Sequence, residues 1–203
     1  MPGFAPRNIN LKERRFEVAD PIVKDLMVPL EEYVTVDEEA TLYDAVMALE
    51  KAQEDLDRSF YKYLHRAILV LDVDKNVVGK ISQLDVLGAL EPKYREVGDL
   101  GKLSKTGFSP EFMKSMLDQY ALWDRPLNQI CSKASNIKVK IFMHTPTEGE
   151  YIHEDARLGE AIHQLVLGHH QSLLVTSIKK IVGILRLTDV FMKIFEEMRA
   201  CRI

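Results

Sequence analysis

The stretches VVGKISQLDVL at residues 77–87 and IVGILRLTDVF at residues 181–191 share two valines, a glycine and an aspartate in one register. Their offset of 104 positions (181 minus 77) indicates an internal repeat in a chain of 203 residues. The copies differ at one informative position, because Ser82 in the first stands where Arg186 stands in the second. The two copies therefore predict a common scaffold without requiring that both carry the same site.

The repeat extends toward the N-terminus, but its offset changes there. Residues 65–71 align with residues 169–175 at the offset of 104, whereas Met27 aligns with Met143 at an offset of 116. The difference places an insertion of 12 residues (116 minus 104) after Leu49 in the first copy. Apolar residues keep a three-and-four spacing through this insertion as far as Leu64, which predicts a lengthened first helix.

Each copy has the pattern of strand, helix, strand, turn, strand and helix, which predicts an α/β fold. Thr41 and Ser82 are suited to cap the two helices of the first copy. Ser109 followed by Pro110 predicts a further helix between the copies, and residues 127–134 predict a second, short one. The predicted strands cover residues 33–36, 67–71 and 77–81, then 151–152, 173–176 and 181–185, with second-copy helices at 156–167 and from Thr188.

The composition excludes several classes of protein. The chain is 46% hydrophobic and 29% charged with a net charge of −4, which argues against a general nucleic-acid binder. Its two cysteines form no disulfide framework. We find neither a signal-peptide pattern nor an unbroken apolar run of about 18 residues. These features predict a cytoplasmic protein without a membrane span.

Both copies resemble the CBS domain, whose signature is Gly-hydrophobic-x-Ser/Thr-x-x-Asp at the end of the third strand. The matching segments are residues 79–85, which depart from it at Lys80, and residues 183–189, which depart at Arg186. The resemblance implies two tandem β-α-β-β-α repeats packed as a pseudo-two-fold pair, a Bateman module, with a helical linker. It divides the chain into an N-terminal extension 1–19, a first repeat 20–90, the linker 91–137 and a second repeat 138–203.

Ser82 and Asp85 carry two interpretations. Ser82 stands where a strand gives way to a helix, and the free N–H groups of a helix N-terminus attract phosphate. The Asp85 carboxylate, three residues on, could accept hydrogen bonds from ribose hydroxyls. The same pair also forms an S-x-x-D pattern similar to a capping box, which stabilises a helix without any ligand.

The resemblance implies an adenine nucleotide (AMP, ADP or ATP) in the cleft between the repeats, held as a regulatory ligand. Arg186 could contact phosphate, fill the pocket or pair with an acidic neighbour, and Asp189 repeats the position of Asp85. Arg66 and His170 either add positive charge or are solvated strand-end residues. The adenine pocket is implied near Thr35, Val36, Ala67 and Ile68, and near Ile152, Gln171 and Ser172.

We find no pattern that indicates catalysis or a metal site. The chain lacks a Walker loop, an HExxH motif and a recognisable nucleophile motif, and its histidines lack the Cys and His grouping of structural zinc. The expected function is a regulatory module that signals to a separate effector protein; the alternative is a ligand-free interaction scaffold. The resemblance also implies a homodimer, with candidate contacts, or core residues, at Val86, Leu87, Leu90, Phe191, Ile194 and Phe195.

Overall fold

Two sheets form the centre of the molecule in the computed structural model, which describes residues 20–55, 64–95, 108–123 and 129–201. The strands are β1 (Val28–Pro29), β2 (Thr35–Asp37), β3 (Ala67–Leu71), β4 (Val77–Ser82), β5 (Tyr151–His153), β6 (Ser172–Ser177) and β7 (Lys180–Arg186). The helices are α1 (Leu42–Glu54), α2 (Gln83–Leu90), α3 (Pro110–Gln119), α4 (Ile130–Ala134), α5 (Val139–Phe142), α6 (Leu158–Gly168) and α7 (Leu187–Ala200).

The two repeats have the same local topology. In the first, β2 pairs in parallel with β3, and β3 pairs antiparallel with β4. In the second, β5, β6 and β7 pair in the same way. The side chains of Thr41, Ser82 and Ser109 cap α1, α2 and α3, because each accepts a hydrogen bond from a backbone N–H in the first turn. The predicted α/β repeat and its three N-caps are confirmed.

Strand pairing corrects the alignment of the middle strands. Val70 pairs with Gly79, and Val175 pairs with Gly183, so β3 and β6 are offset by 105 (175 minus 70) rather than 104. The turn before β7 is one residue shorter than the turn before β4. The residues of β6 that correspond to those of β3 are therefore shifted by one position in the sequence. His65 therefore corresponds to His170, not to His169, and the insertion has 11 residues (116 minus 105) rather than 12.

The opening segment of each repeat lies on the sheet of the other. β1 pairs antiparallel with β7, where Val28 faces Ile184. Lys80 and His144 form the matching backbone pair, each donating its N–H to the carbonyl of the other at 2.9 Å. Val28 and His144 occupy equivalent positions, as do Ile184 and Lys80. This reciprocal exchange gives the pair its pseudo-two-fold arrangement.

The two signature glycines are required by this exchange. A Cβ placed on Gly183 would lie 2.5 Å from the carbonyl oxygen of Val28, and one on Gly79 would lie 2.5 Å from the Sδ of Met143. Both distances are far inside van der Waals contact. The neighbour of Gly183 is backbone and leaves no room for a side chain, whereas a side chain at Gly79 would require Met143 to move. A glycine at a strand end admits either a ligand or another backbone, and here the close neighbour is the opening segment of the other repeat.

The hydrophobic core joins the repeats and the linker. Its first cluster combines Val34, Ile68 and Ile81 of the first repeat with Leu174 and Ile184 of the second. A second cluster fills the space between the sheet and helices of the second repeat. In a third, Ala134 of α4 packs with Leu42, Ala89 and Leu90. The linker thus covers part of the first repeat.

The predicted long first helix is not continuous. α1 ends at Glu54, and Leu64 has no regular secondary structure. Residues 56–63, which contain most of the insertion, lie outside the described residues, as does the N-terminal extension 1–19. None of the described helices has the length and apolar character needed to cross a membrane.

Candidate functional site

A cavity of about 620 Å³ lies between the repeats. Its wall is built from the ends of β4 and β7, the first turns of α2 and α7, and the segments that lead into β3 and β6. Each of these is a place where a strand begins or ends, so side chains and backbone N–H groups converge there. The lining residues are Tyr33, Leu64, Arg66, Ala67, Lys80, Ser82, Gln83, Leu84, Asp85, His144, Thr147, Glu150, His169, His170, Gln171, Ser172, Arg186, Leu187 and Thr188.

Asp85 uses one carboxylate oxygen for the helix cap. Its Oδ2 accepts hydrogen bonds from the backbone N–H of Ser82 at 2.7 Å and from the Ser82 hydroxyl at 2.6 Å. The backbone N–H of Asp85 donates to Ser82 Oγ at 3.2 Å, which completes a capping box. The other oxygen, Oδ1, accepts no hydrogen bond from the part of the chain that the structure describes. Capping and ligand contact are therefore compatible, since they would use different oxygens.

Arg186 makes a buried, two-point ion pair with Asp189. Its Nε lies 2.5 Å from Oδ2 and its Nη2 lies 2.6 Å from Oδ1, so both carboxylate oxygens are engaged. The side chain of Arg186 is 6% exposed and that of Asp189 is 18% exposed. Paired bonds between a guanidinium and a carboxylate are among the strong hydrogen bonds of proteins. Pairing with an acidic neighbour was one of the three roles considered for Arg186. That neighbour is Asp189, and the ion pair is buried.

Tyr33 and His65 extend this pair into a layer that crosses from one repeat to the other. The Nδ1 of His65 lies 3.4 Å from Arg186 Nη1, and the ring of Tyr33 meets the His65 ring edge-on at a centroid distance of 4.5 Å. Burial and the positive charge of Arg186 lower the pKa of His65 to about 4. Burial raises the pKa of Tyr33 to about 12. His65 is therefore neutral at physiological pH.

A second polar cluster joins Lys80 of the first repeat to Glu150 of the second. The carboxylate of Glu150 forms an ion pair with Lys80, lies 2.6 Å from Nε2 of His144 and accepts the backbone N–H of Thr147 at 3.1 Å. Burial alone would raise the pKa of Glu150, but the hydrogen bonds from Lys80, His144 and Thr147 outweigh it and lower the pKa to about 2. Glu150 remains a carboxylate beside the cavity.

Arg66 is the cationic side chain of the lining that holds no acidic partner among the described residues. Lys80 and Arg186 are both engaged in ion pairs, whereas Arg66 is exposed and lies just before β3. Ala67 pairs with Ser82 across β3 and β4, which brings Arg66 beside the start of α2. Arg66 and Asp85 both line the cavity.

The structure brings together most, but not all, of the residues predicted for the site. Asp189 lies outside the lining with both oxygens bound. Ile68 and Ile152 are buried in the core, and Thr35 and Val36 of β2 are also outside the lining. The predicted residues that line the cavity are Arg66, Ala67, Ser82, Asp85, His170, Gln171, Ser172 and Arg186.

Sequence reasoning missed three polar groups that surround Arg186 and Lys80 in the folded pair. Tyr33, His65 and Glu150 belong to no short motif. Tyr33 contacts His65 within the first repeat, whereas the contacts of His65 with Arg186 and of Glu150 with Lys80 form only when the repeats pair. One signal was present, because Lys80 departs from the apolar residue usual at its position. A lysine in a buried strand requires an acidic partner, which is Glu150.

Comparison with known proteins agrees with this architecture. Residues 23–92 match the family model of the CBS domain. The CBS-pair protein CBSX2 from Arabidopsis thaliana is 18% identical with a TM-score of 0.56, and the match covers 89% of this chain and 99% of that one. A structure of CBSX2 in complex with AMP is 18% identical with a TM-score of 0.54, covering 86% and 97%. Among curated proteins, no match was found.

A further structure, the CBS domain of a CBS domain-containing membrane protein from Sphaerobacter thermophilus, is 18% identical with a TM-score of 0.55, covering 85% of this chain and 87% of that one. The reciprocal packing of two α/β repeats around a cavity places the chain in the class of tandem-repeat modules. Residues 23–92 match the CBS domain, and the chain has the fold of the CBS-pair structures.

Proposed function

We propose that this chain is a regulatory module that binds an adenine nucleotide (AMP, ADP or ATP) in the cavity between its repeats and signals to a separate partner. The observation that carries the proposal is the geometry of Asp85, whose Oδ2 is fixed by Ser82 while Oδ1 accepts no bond from the described residues. A carboxylate held in this way suits the paired hydroxyls of a ribose.

The surroundings of Asp85 supply the rest of a nucleotide site. The first turn of α2 offers backbone N–H groups, and Arg66 offers a guanidinium that is free of ion pairs with the described residues. The cavity volume of about 620 Å³ falls in the range of small-molecule sites. The similar fold of CBSX2, which has been solved with AMP, adds a precedent for this ligand class.

The proposed signalling is supported by the fact that both repeats form the wall of the cavity. A ligand that contacts both repeats favours the arrangement in which its contacts are best satisfied, and it changes the population of that arrangement by its difference in affinity. The catalytic alternative has no support in the described site, where each titratable group of the two polar clusters is engaged in structural pairs. We therefore assign the module no reaction of its own.

Isothermal titration calorimetry with AMP, ADP and ATP, and with GMP as a control, tests the proposal. We expect saturable binding of at least one adenine nucleotide and a higher melting temperature in its presence. At a ligand concentration 100 times the dissociation constant, the stabilisation is about 2.7 kcal/mol. If no adenine nucleotide releases heat or shifts the melting temperature, the proposal is wrong and the scaffold alternative is favoured. Hydrolysis of nucleotide would instead indicate an enzyme.

We also propose that the chain forms a homodimer through apolar helix faces. Leu87 of α2 is 55% exposed, and Phe191, Phe195 and Met198 of α7 are 61%, 44% and 69% exposed. Leu90 belongs to the core instead. Large apolar side chains grouped on one helix face are typical of an interface. Sedimentation equilibrium at micromolar concentration is expected to give twice the chain mass, and Phe191→Glu with Phe195→Glu is expected to give the monomer. A monomeric unmodified chain would contradict this expectation.

A further inference from the structure

The two halves of the cavity differ in bulk at equivalent positions. The half around Asp189 contains three large side chains that contact one another, whereas the half around Asp85 has a glycine and a serine at two of the three corresponding positions. The offsets of 116, 105 and 104 given by the strand pairing define these pairs as Tyr33 with Gly149, His65 with His170, and Arg186 with Ser82.

The two aspartates also differ in how many of their carboxylate oxygens are bound within the chain. Asp85 has one oxygen bound within the chain, but Asp189 has both oxygens bound by Arg186. Asp189 also lies outside the cavity lining, while Arg186 is part of it. The carboxylate that would be offered to a ribose in the second half is thus covered by its own neighbour.

Arg186 is fixed in this position by groups from both repeats. Its Nε and Nη2 are bound to Asp189, and its Nη1 faces the Nδ1 of His65. The guanidinium is almost fully buried, since Arg186 as a whole is 5% exposed. To free Asp189, a ligand would have to break a buried ion pair and leave the charge of Arg186 without a partner, which is strongly unfavourable.

We infer that Arg186 closes the second half of the cavity, so that each chain binds one nucleotide, at Asp85. This inference rests on the proposed function and adds to it the stoichiometry and the residue that sets it. Arg186 acts here as a cross-repeat link and does not contact phosphate. The two signature stretches differ by Ser82 in the first and Arg186 in the second. This difference makes the first half of the cavity open and the second half closed.

Calorimetric stoichiometry with the tightest-binding adenine nucleotide tests the inference. The unmodified chain is expected to bind one nucleotide, and Asp189→Asn is expected to keep that stoichiometry and the affinity. Arg186→Ser restores the pattern of the first repeat, because the new serine can cap α7 and release Asp189; it is expected to bind two nucleotides. The double variant Arg186→Ser with Asp85→Asn is expected to bind one, at the second half alone.

The possible results distinguish a failure of this inference from a failure of the proposed function. Two sites in the unmodified chain, or a loss of affinity of about 100-fold in Asp189→Asn, would overturn the inference and leave the proposed function standing. A folded Arg186→Ser variant that still binds one nucleotide would also overturn it. Absence of any binding by the unmodified chain would overturn the proposed function and the inference with it. If Arg186→Ser does not fold, the unmodified chain and Asp189→Asn decide the question.

Discussion

Asp85→Asn is expected to lower the affinity for adenine nucleotide by about 100-fold. A hydrogen bond to a charged group contributes about 1.5–3 kcal/mol, and 2.7 kcal/mol corresponds to a hundredfold change in the dissociation constant. Asparagine keeps the shape of the side chain and one oxygen, so the bonds from the backbone N–H and hydroxyl of Ser82 can persist. The change therefore removes the charge and one acceptor while leaving the cap of α2 in place.

The matched comparison separates ligand contact from helix capping. Ser82→Ala removes the hydroxyl that caps α2 and is expected to cost about 1 kcal/mol of stability, whereas Asp85→Asn is expected to change the melting temperature of the free protein little. Calorimetry gives the dissociation constants, and thermal melting without ligand gives the stabilities. Unchanged affinity in Asp85→Asn would mean that the carboxylate serves only as a cap, and the nucleotide proposal would lose its main support.

Local patterns predicted the repeat, its order of elements and the helix starts at Thr41, Ser82 and Ser109. The helices of the second copy begin at Leu158 and Leu187 rather than at the predicted residues 156 and 188. The features predicted correctly depend on residues that are close in sequence, such as the capping residues Thr41 and Ser82 and the apolar run of β3. The pair formed by Ser82 and Asp85 was predictable for the same reason, since both lie in one helical turn. The predicted cap is present, and both residues line the cavity, while their contact with a ligand stays a prediction.

Features that depend on the packing of the repeats were not predictable from one sequence. β1 has two residues, too few to show a strand pattern, and it is held by β7 of the other repeat. The offset of 105 was also hidden, because β3 (Ala67–Leu71) and the centre of β6 (residues 173–175) are runs of apolar residues that still match when shifted by one position. That shift hid the correspondence between His65 and His170, and with it the contrast between the two halves of the cavity.

The roles of Arg186 and Lys80 show where sequence reasoning ended. Each was recognised as a departure from the family pattern, but the sequence offered no means of choosing its partner. Arg186 pairs with Asp189 three residues away and faces His65, which is 121 positions away. Lys80 pairs with Glu150 in the opposite repeat. In both cases the sequence shows the charged residue, and the folded structure identifies the acidic residue that neutralises it.

His65 predicts a second large effect, a loss of stability between neutral and mildly acidic pH. The imidazole is 1% exposed and faces the guanidinium of Arg186. A guanidinium can only donate hydrogen bonds, so Nδ1 of His65 must act as the acceptor and carry no proton. Protonation would place a second positive charge beside Arg186 in a buried layer, and the pKa of His65 is accordingly lowered from 6.5 to about 4.

The sign follows from the proton bound by the unfolded chain. Between pH 6.5 and about 4 the unfolded state binds a proton at this histidine that the folded state does not, so stability falls as the pH falls. Each pH unit in this range costs up to 1.36 kcal/mol, which gives a loss of about 2 kcal/mol between pH 6.5 and pH 5. Glu150 acts in a separate window, because its pKa is lowered from 4.5 to about 2 and its contribution is lost only below about pH 4.5.

Urea unfolding of His65→Gln at about pH 7.5 and about pH 5 isolates this contribution. Glutamine can accept a hydrogen bond from Arg186 and does not titrate, so the variant is expected to lack the loss of about 2 kcal/mol shown by the unmodified chain. Its absolute stability can be lower, because a buried ring is removed, but the difference between the two pH values does not depend on that cost. His163→Gln, on the exposed side of α6, is expected to retain the full loss. If His65→Gln retains it as well, the neutral histidine in the layer with Tyr33 and Arg186 is not its source.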